Sequence, residues 1–312
     1  MRFLEKNTGP LILALATLSC GKPAADQMKS SLDVLHGQLV EDERDPIFFS
    51  TAAITTDSQL SQGKSFCTGT LIGPRLIVTA AHCLLSYNNE LNLKPTYPIQ
   101  KLRIVFGKRV NEKSAQVHEA LLAVTHPIYS PYSSGLKEPG SPPNDLALIY
   151  LKKEATAPRV VRRLDPNTDY PEGQDFLVAG FGSAVGRSEI EKAGEKGGIL
   201  RKAIARVFSG SDASDQEPYI ESQRIPVGLS ASGEAWATAQ GACLGDSGGP
   251  LYRRAEDGEF YIRGVLSAGV VNAKGQCTGR AVYTDLSYYS SWLERSTSRL
   301  EQAAASLKEG YL

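Results

Sequence analysis

Short runs of β-branched, aliphatic and aromatic residues recur along the chain from about residue 34 to residue 285, among them 102–106, 146–151, 176–179 and 261–266. Each run has strand length and is bounded by Gly, Pro, Asn or charge. Branched and aromatic side chains fit a pleated, half-buried surface, so the pattern predicts an all-β barrel or sandwich. Two stretches break it. Residues 134–144 carry three prolines and two glycines, and residues 182–198 are rich in Gly, Ser, Glu and Lys; both read as loops. After Asp285 the period changes, with Leu293, Leu300, Ala304 and Leu307 spaced along one helical face among Glu, Lys, Arg, Ala and Gln. A C-terminal helix from about residue 287 is expected.

The first 33 residues differ from the rest. Arg2 and Lys6 precede the apolar run 11–16, which ends in small residues before Cys20, the pattern of a signal peptide over 1–20. The run is too short to span a bilayer, which takes ~20 residues, and no later stretch is longer. Residues 21–33 are small and polar without a sustained period and read as a tether or pro-segment, with the folded domain over 34–312.

With 41% hydrophobic and 22% charged residues, the chain has enough apolar material for one large core. Its 34 basic and 34 acidic residues leave no net field to draw it onto nucleic acid or an anionic membrane. Of the five cysteines, Cys67, Cys83, Cys243 and Cys277 lie in the body of the chain and can form two bridges, leaving Cys20 over. The segment 17–20, Thr-Leu-Ser-Cys, resembles a bacterial lipoprotein signal, in which the cysteine becomes the lipidated first residue; Thr17 stands where that motif usually has a large aliphatic residue.

The densest chemical signal is the loop 241–250, Gly-Ala-Cys-Leu-Gly-Asp-Ser-Gly-Gly-Pro. It can expose the Ser247 hydroxyl while the N–H groups of Gly245 and Ser247 converge on an oxyanion. A serine needs a base to become a nucleophile. His82, in Thr79-Ala80-Ala81-His82-Cys83 after the strand-like 75–78, lies in a small, apolar setting, whereas His36, His118 and His126 read as surface residues. A carboxylate is needed to orient the imidazole, and Asp145 stands at the mouth of the apolar run 146–149.

Taken together, these segments resemble the chymotrypsin/trypsin family, in the chain order His, Asp, Ser and over residues 34 to 295. Further matching stretches are Phe66-Cys67-Thr68-Gly69-Thr70-Leu71-Ile72, Val124-Thr125-His126-Pro127-Ile128-Tyr129, Ala179-Gly180-Phe181-Gly182, Gly264-Val265-Leu266-Ser267 and Ala281-Val282-Tyr283-Thr284. The resemblance implies two six-stranded antiparallel β-barrels, with a boundary near 155–175, the active site between them and a closing helix. It implies bridges Cys67–Cys83 and Cys243–Cys277, and Ser267 behind Asp145. His82 would act as base and then acid, Asp145 as orienter and Ser247 as nucleophile, through an acyl-enzyme.

Departures from the family bear on specificity. Gly241 falls where trypsin-like members keep an aspartate, Ala268 replaces a pocket-wall tryptophan, Gly269 keeps the wall open and Ala281 adds a methyl group. With Ala242 these imply a small or medium apolar P1 residue, unless Arg280 enters the pocket and selects an acidic one. The resemblance also implies activation by cleavage before Val34, whose new ammonium would pair with Asp246. Protein or peptide substrates are expected, with no nucleic acid, cofactor or metal, and the chain is expected to act as a monomer, secreted or anchored to the bacterial cell envelope through Cys20. The alternatives from other classes are a catalytically silent binding or adhesion protein on the same fold and a structural surface lipoprotein.

Overall fold

The computed structural model describes residues 37–87, 93–129, 144–156, 164–165, 174–183, 197–207, 224–228, 241–256, 258–271 and 277–309. The expected signal peptide, the tether, Cys20 and Val34 lie outside them, as does most of the two expected loops.

The first half is a closed antiparallel barrel of six strands. Ahead of it runs a two-residue strand, β1 (Gln38–Leu39); the barrel itself uses β2 (Thr51–Thr56), β3 (Cys67–Gly73) and β4 (Leu76–Thr79). A one-turn helix, α1 (Asp57–Leu60), follows β2, and a short hairpin of β5 (Leu85–Tyr87) and β6 (Leu93–Pro95) stands outside the ring. The ring is completed by β7 (Leu102–Phe106), β8 (Gln116–Thr125) and β9 (Ala147–Leu151), in the order β2-β3-β4-β9-β8-β7. Every residue of β2, β4 and β9 is buried, so these strands read as unbroken apolar or threonine-rich runs. The β8 strand has one buried residue in ten, most of the others being half-buried.

The second half is an antiparallel sheet of seven strands, β10 (Asp175–Gly180), β11 (Arg201–Val207), β12 (Arg224–Gly228), β13 (Pro250–Arg254), β14 (Phe260–Val271) and β15 (Cys277–Asp285) together with β1. Its order is β1-β11-β10-β13-β14-β15-β12, and β12 pairs back onto β11 through Arg206–Gly228 and Val207–Val227. The expected pair of six-stranded barrels is met in full by the first half; in the second, the six strands from β11 to β12 return on themselves through only two residue pairs, with β1 paired to the start of β11. Between the halves, β9 ends at Leu151 and β10 begins at Asp175.

One apolar cluster runs from the first barrel through Tyr252, Ile262 and Val265 to Trp292 and Leu300 of the closing helix α2 (Ser290–Glu309). Burying each Leu or Ile there contributes roughly 1.5–3 kcal/mol. The helix begins three residues later than expected. Asp285 accepts a hydrogen bond from Ser287 N–H at 2.9 Å, which winds 286–289 as a 3-10 turn before α2 starts. Among the described residues no helix is long and apolar enough to cross a membrane.

Candidate active site

His82 lies in a single 3-10 turn, Ala81–Cys83, entered directly from β4. The Cys67–Cys83 disulfide ties this turn back to the start of β3, and Cys243–Cys277 ties the serine loop to the start of β15. Both pairings are the ones the resemblance implied.

Asp145 is fully buried, and a buried carboxylate is tolerated only where donors replace its water. Three are present. His82 N–H donates to Oδ1 at 2.9 Å, His82 Nδ1 lies 2.7 Å from Oδ2, and the Ser267 hydroxyl donates to Oδ2 at 2.7 Å. The backbone turns sharply to bring it there. Asn144 is left-handed at φ 58°, a conformation asparagine accepts more readily than most residues, and Tyr289 OH donates to its Oδ1 at 3.1 Å. Burial alone pulls the His82 pKa down, but the charge and hydrogen bond of Asp145 outweigh it and hold it above the ordinary 6.5.

The serine loop is tied to the first barrel by one residue that the sequence did not single out. Fully buried Thr68 donates its N–H to the Ser247 carbonyl at 2.8 Å and its hydroxyl to the Gly245 carbonyl at 3.0 Å. The same hydroxyl accepts from Phe181 N–H at 3.1 Å, and the Thr68 carbonyl accepts from the Thr79 hydroxyl at 2.8 Å. Thus the second half anchors Asp145 through Ser267, and the first half anchors the Ser247 loop through Thr68. The two halves are cross-clamped at the site.

Gly248 is left-handed at φ 80°, and a Cβ there would run into Thr79 Oγ1 and the Thr68 carbonyl, so both its conformation and the space around it require glycine. The N–H groups of Gly245 and Ser247 have no acceptor among the described residues. The Ser247 carbonyl lies 3.5 Å from Cys83 Sγ, beside His82, while its hydroxyl makes no hydrogen bond to the imidazole among the described residues. Such contacts often tighten only when substrate binds.

The expected pocket residues come together on two strands and the loop. Gly269 pairs with Ala281 and Ala268 with Val282 across β14 and β15. A Cβ on Gly269 would stand 3.7 Å from the Ala242 carbonyl, and Ala242 and Ala281 share one buried cluster. Gly241 is buried beside them. None of these residues carries a charge; the side chain of Arg280 lies outside the described residues.

Two histidines read as surface residues are half-buried against aromatic rings. Half-buried His126 lies 5.3 Å from the Tyr289 ring and 5.2 Å from Trp292, and His118 lies edge-on to Phe106 at 5.7 Å. Burial lowers both pKa values. Their aromatic partners are distant in sequence, so the polar neighbours at short range were misleading. His36 lies outside the described residues.

Two facing halves with a carboxylate, an imidazole and a glycine-held serine at their junction define the class of the serine proteases. A family model described as Trypsin matches residues 50–293, and the chain belongs to that family. It is 29% identical over 248 residues to coagulation factor XII of Cavia porcellus, covering 76% of this chain and 37% of the relative. It is 25% identical over 249 residues to the vitellin-degrading protease of Bombyx mori, covering 78% of this chain and 80% of the relative. It is 26% identical over 234 residues to transmembrane protease serine 11A of Homo sapiens, covering 74% and 49%. The chain thus matches little more than a third of factor XII.

Proposed function

We propose that the chain is a serine endopeptidase. Ser247 Oγ attacks the scissile carbonyl as His82 takes its proton, the oxyanion is held by the N–H groups of Gly245 and Ser247, and His82 returns the proton to the leaving amine. Water then hydrolyses the acyl-enzyme by the same route. The observation that carries this reading is the buried Asp145 carboxylate bridging His82 Nδ1 and the Ser267 hydroxyl at 2.7 Å each. A fluorophosphonate probe tests it: the wild type is labelled at Ser247 and Ser247→Ala is not. A properly folded wild type that takes no label is instead a silent binding protein.

Because Asp145 raises the His82 pKa, the acid limb of kcat/KM is expected to inflect above pH 6.5. The stability of the charged pair follows the usual sign for a raised base. It is fully present below 6.5, the unfolded value, and is lost as pH rises through the folded one. A pH–rate profile whose acid limb lies at or below 6.5 contradicts the assignment.

Specificity is read from the uncharged pocket. A desolvated substrate cation facing Gly241 and Ala242 finds no partner among the described residues, so a P1 scan is expected to favour Ala, Val or Leu over Arg and Lys. A preference for Arg means that another segment supplies a charge, and a preference for Asp or Glu implicates Arg280.

Export and anchoring through Cys20 rest on the sequence alone. The wild type is expected to partition into detergent and Cys20→Ser into the aqueous phase; equal partitioning removes the anchor. Activation by an ammonium released at Val34 has support at the receiving end, because Asp246 is buried and its pKa is pushed up to about 6 by that burial, despite N–H donors from Cys243 and Gly182. A carboxylate still that poorly compensated accepts further positive charge.

A further inference from the structure

The direction in which the Gly245 N–H points is set by the peptide it belongs to. That peptide's carbonyl, on Leu244, accepts from Ser183 N–H at 2.7 Å. In a trans peptide the C=O and the N–H point in opposite directions. Drawing the Leu244 carbonyl toward Ser183 therefore turns the Gly245 N–H the other way, to the side where no described residue accepts it. Ser183 supplies one of three successive donors. Phe181 N–H goes to Thr68 Oγ1 at 3.1 Å and Gly182 N–H to Asp246 Oδ1 at 2.8 Å. The Gly245 N–H is thus aimed only as well as the segment 181–183 is placed.

One hydroxyl holds both the segment and the loop. Thr68 Oγ1 accepts from Phe181, the first of the three donors, and donates to the Gly245 carbonyl at 3.0 Å. A hydroxyl has one proton to give and lone pairs with which to accept, so a single oxygen can make both bonds. Thr68 N–H also donates to the Ser247 carbonyl at 2.8 Å. Segment and loop lie in direct contact, since a Cβ on Gly245 would stand 3.0 Å from Gly182 Cα. Thr68 itself is in no position to follow the loop. It is fully buried on β3 opposite Ala53 of β2, its carbonyl accepts from the Thr79 hydroxyl, and the neighbouring Cys67 is bridged to Cys83.

We propose that Thr68 is a positioning residue for the oxyanion-holding N–H of Gly245. Its hydroxyl touches no substrate atom; it ties the Gly245 peptide, and the segment that aims it, to the rigid first barrel. This rests on the reading of Ser247 as the nucleophile. An N–H that meets its acceptor only when the oxyanion forms contributes to the transition state and little to ground-state binding, so a small error in its aim appears in kcat.

The experiment compares wild type with Thr68→Val, which keeps the shape and the N–H bond to Ser247 but removes the hydroxyl, and with Thr68→Ser, which keeps the hydroxyl. Each is assayed for kcat and KM on one peptide substrate, for thermal unfolding, and by calorimetry for affinity toward a peptide aldehyde and the matching peptide alcohol. Ser247 Oγ adds to the aldehyde carbon as its proton moves to His82, and the former carbonyl oxygen becomes an oxyanion facing the N–H groups of Gly245 and Ser247. The alcohol fills the same pocket without forming that oxygen. In Thr68→Val, kcat is expected to fall about a hundredfold with KM within about threefold, and the ratio of aldehyde to alcohol affinity to fall by about the same hundredfold. Thr68→Ser should recover most of both. The acid limb of the Thr68→Val rate should stay at its wild-type pH, because the His82–Asp145 pair is untouched. Thr68→Ala is carried in parallel. The space it opens admits water to pair with the Gly245 carbonyl and Phe181 N–H, so it folds even where valine strands both groups, and its affinity ratio should fall at least about tenfold. A residue that only supports the fold would lower the melting temperature and the active fraction while leaving that ratio unchanged in the folded protein, and this outcome overturns the proposal. So does a folded Thr68→Val or Thr68→Ala with wild-type kcat, or a Thr68→Ser as impaired as Thr68→Val. If wild type takes no fluorophosphonate label and binds the aldehyde no better than the alcohol, the reading of Ser247 falls and this proposal with it.

Discussion

Ser247→Ala and His82→Ala are each expected to lower kcat on a peptide substrate by about 10⁵–10⁶-fold, and the double variant to be little worse than either. The reason is that the hydroxyl and the imidazole share one event. Without His82 the serine keeps its proton and does not attack; without Ser247 the imidazole has no nucleophile to deprotonate. Removing the second partner then takes away nothing that still functions. The residual rate comes from substrate binding and from the N–H groups of Gly245 and Ser247, which neither change disturbs. KM should move little, since neither side chain belongs to the pocket formed by Gly241, Ala242, Ala268, Gly269 and Ala281. Steady-state kinetics on the three variants, with thermal unfolding to show that each is folded, give the answer. Losses that multiply in the double variant would mean two independent contributions and would falsify a triad.

The parts of the site that were legible in the sequence are those whose chemistry is written in neighbouring residues. The glycines around Ser247, the small residues around His82 and the apolar run after Asp145 are local necessities of a tight loop, a short turn and a buried strand. Strand runs were legible for the same reason, and the second half's incomplete closure was not, because two residue pairs between β11 and β12 decide it. Thr68 escaped notice because its partners Phe181 and Gly245 lie 113 and 177 residues away, and nothing beside it in the chain hints at them. His126 was misread in the same way, its aromatic neighbours coming from α2 and the turn before it. Local pattern shows what a loop can do, and tertiary register shows what holds it there.

Asp145→Asn is expected to keep the fold and lose about 10⁴-fold in kcat at neutral pH, the magnitude characteristic of such triads. In the wild type both carboxylate oxygens are acceptors, facing His82 N–H, His82 Nδ1 and the Ser267 hydroxyl. An asparagine offers one acceptor oxygen and one NH₂ group. If the oxygen stays with the His82 backbone N–H, the NH₂ meets Nδ1, which must then be the unprotonated nitrogen. The proton moves to Nε2, and the imidazole faces Ser247 as a donor, unable to accept its proton. The variant should therefore bind substrate with nearly unchanged KM and label slowly with a fluorophosphonate. The acid limb of its rate should also shift to lower pH, because the charge and hydrogen bond that raise His82 are gone while burial, which lowers it, remains. That shift separates an orienting carboxylate from a merely structural one. A variant that loses activity through unfolding alone would show no displaced limb in its residual rate, and a variant retaining more than about a tenth of wild-type kcat would mean that Asp145 does not set the tautomer of His82.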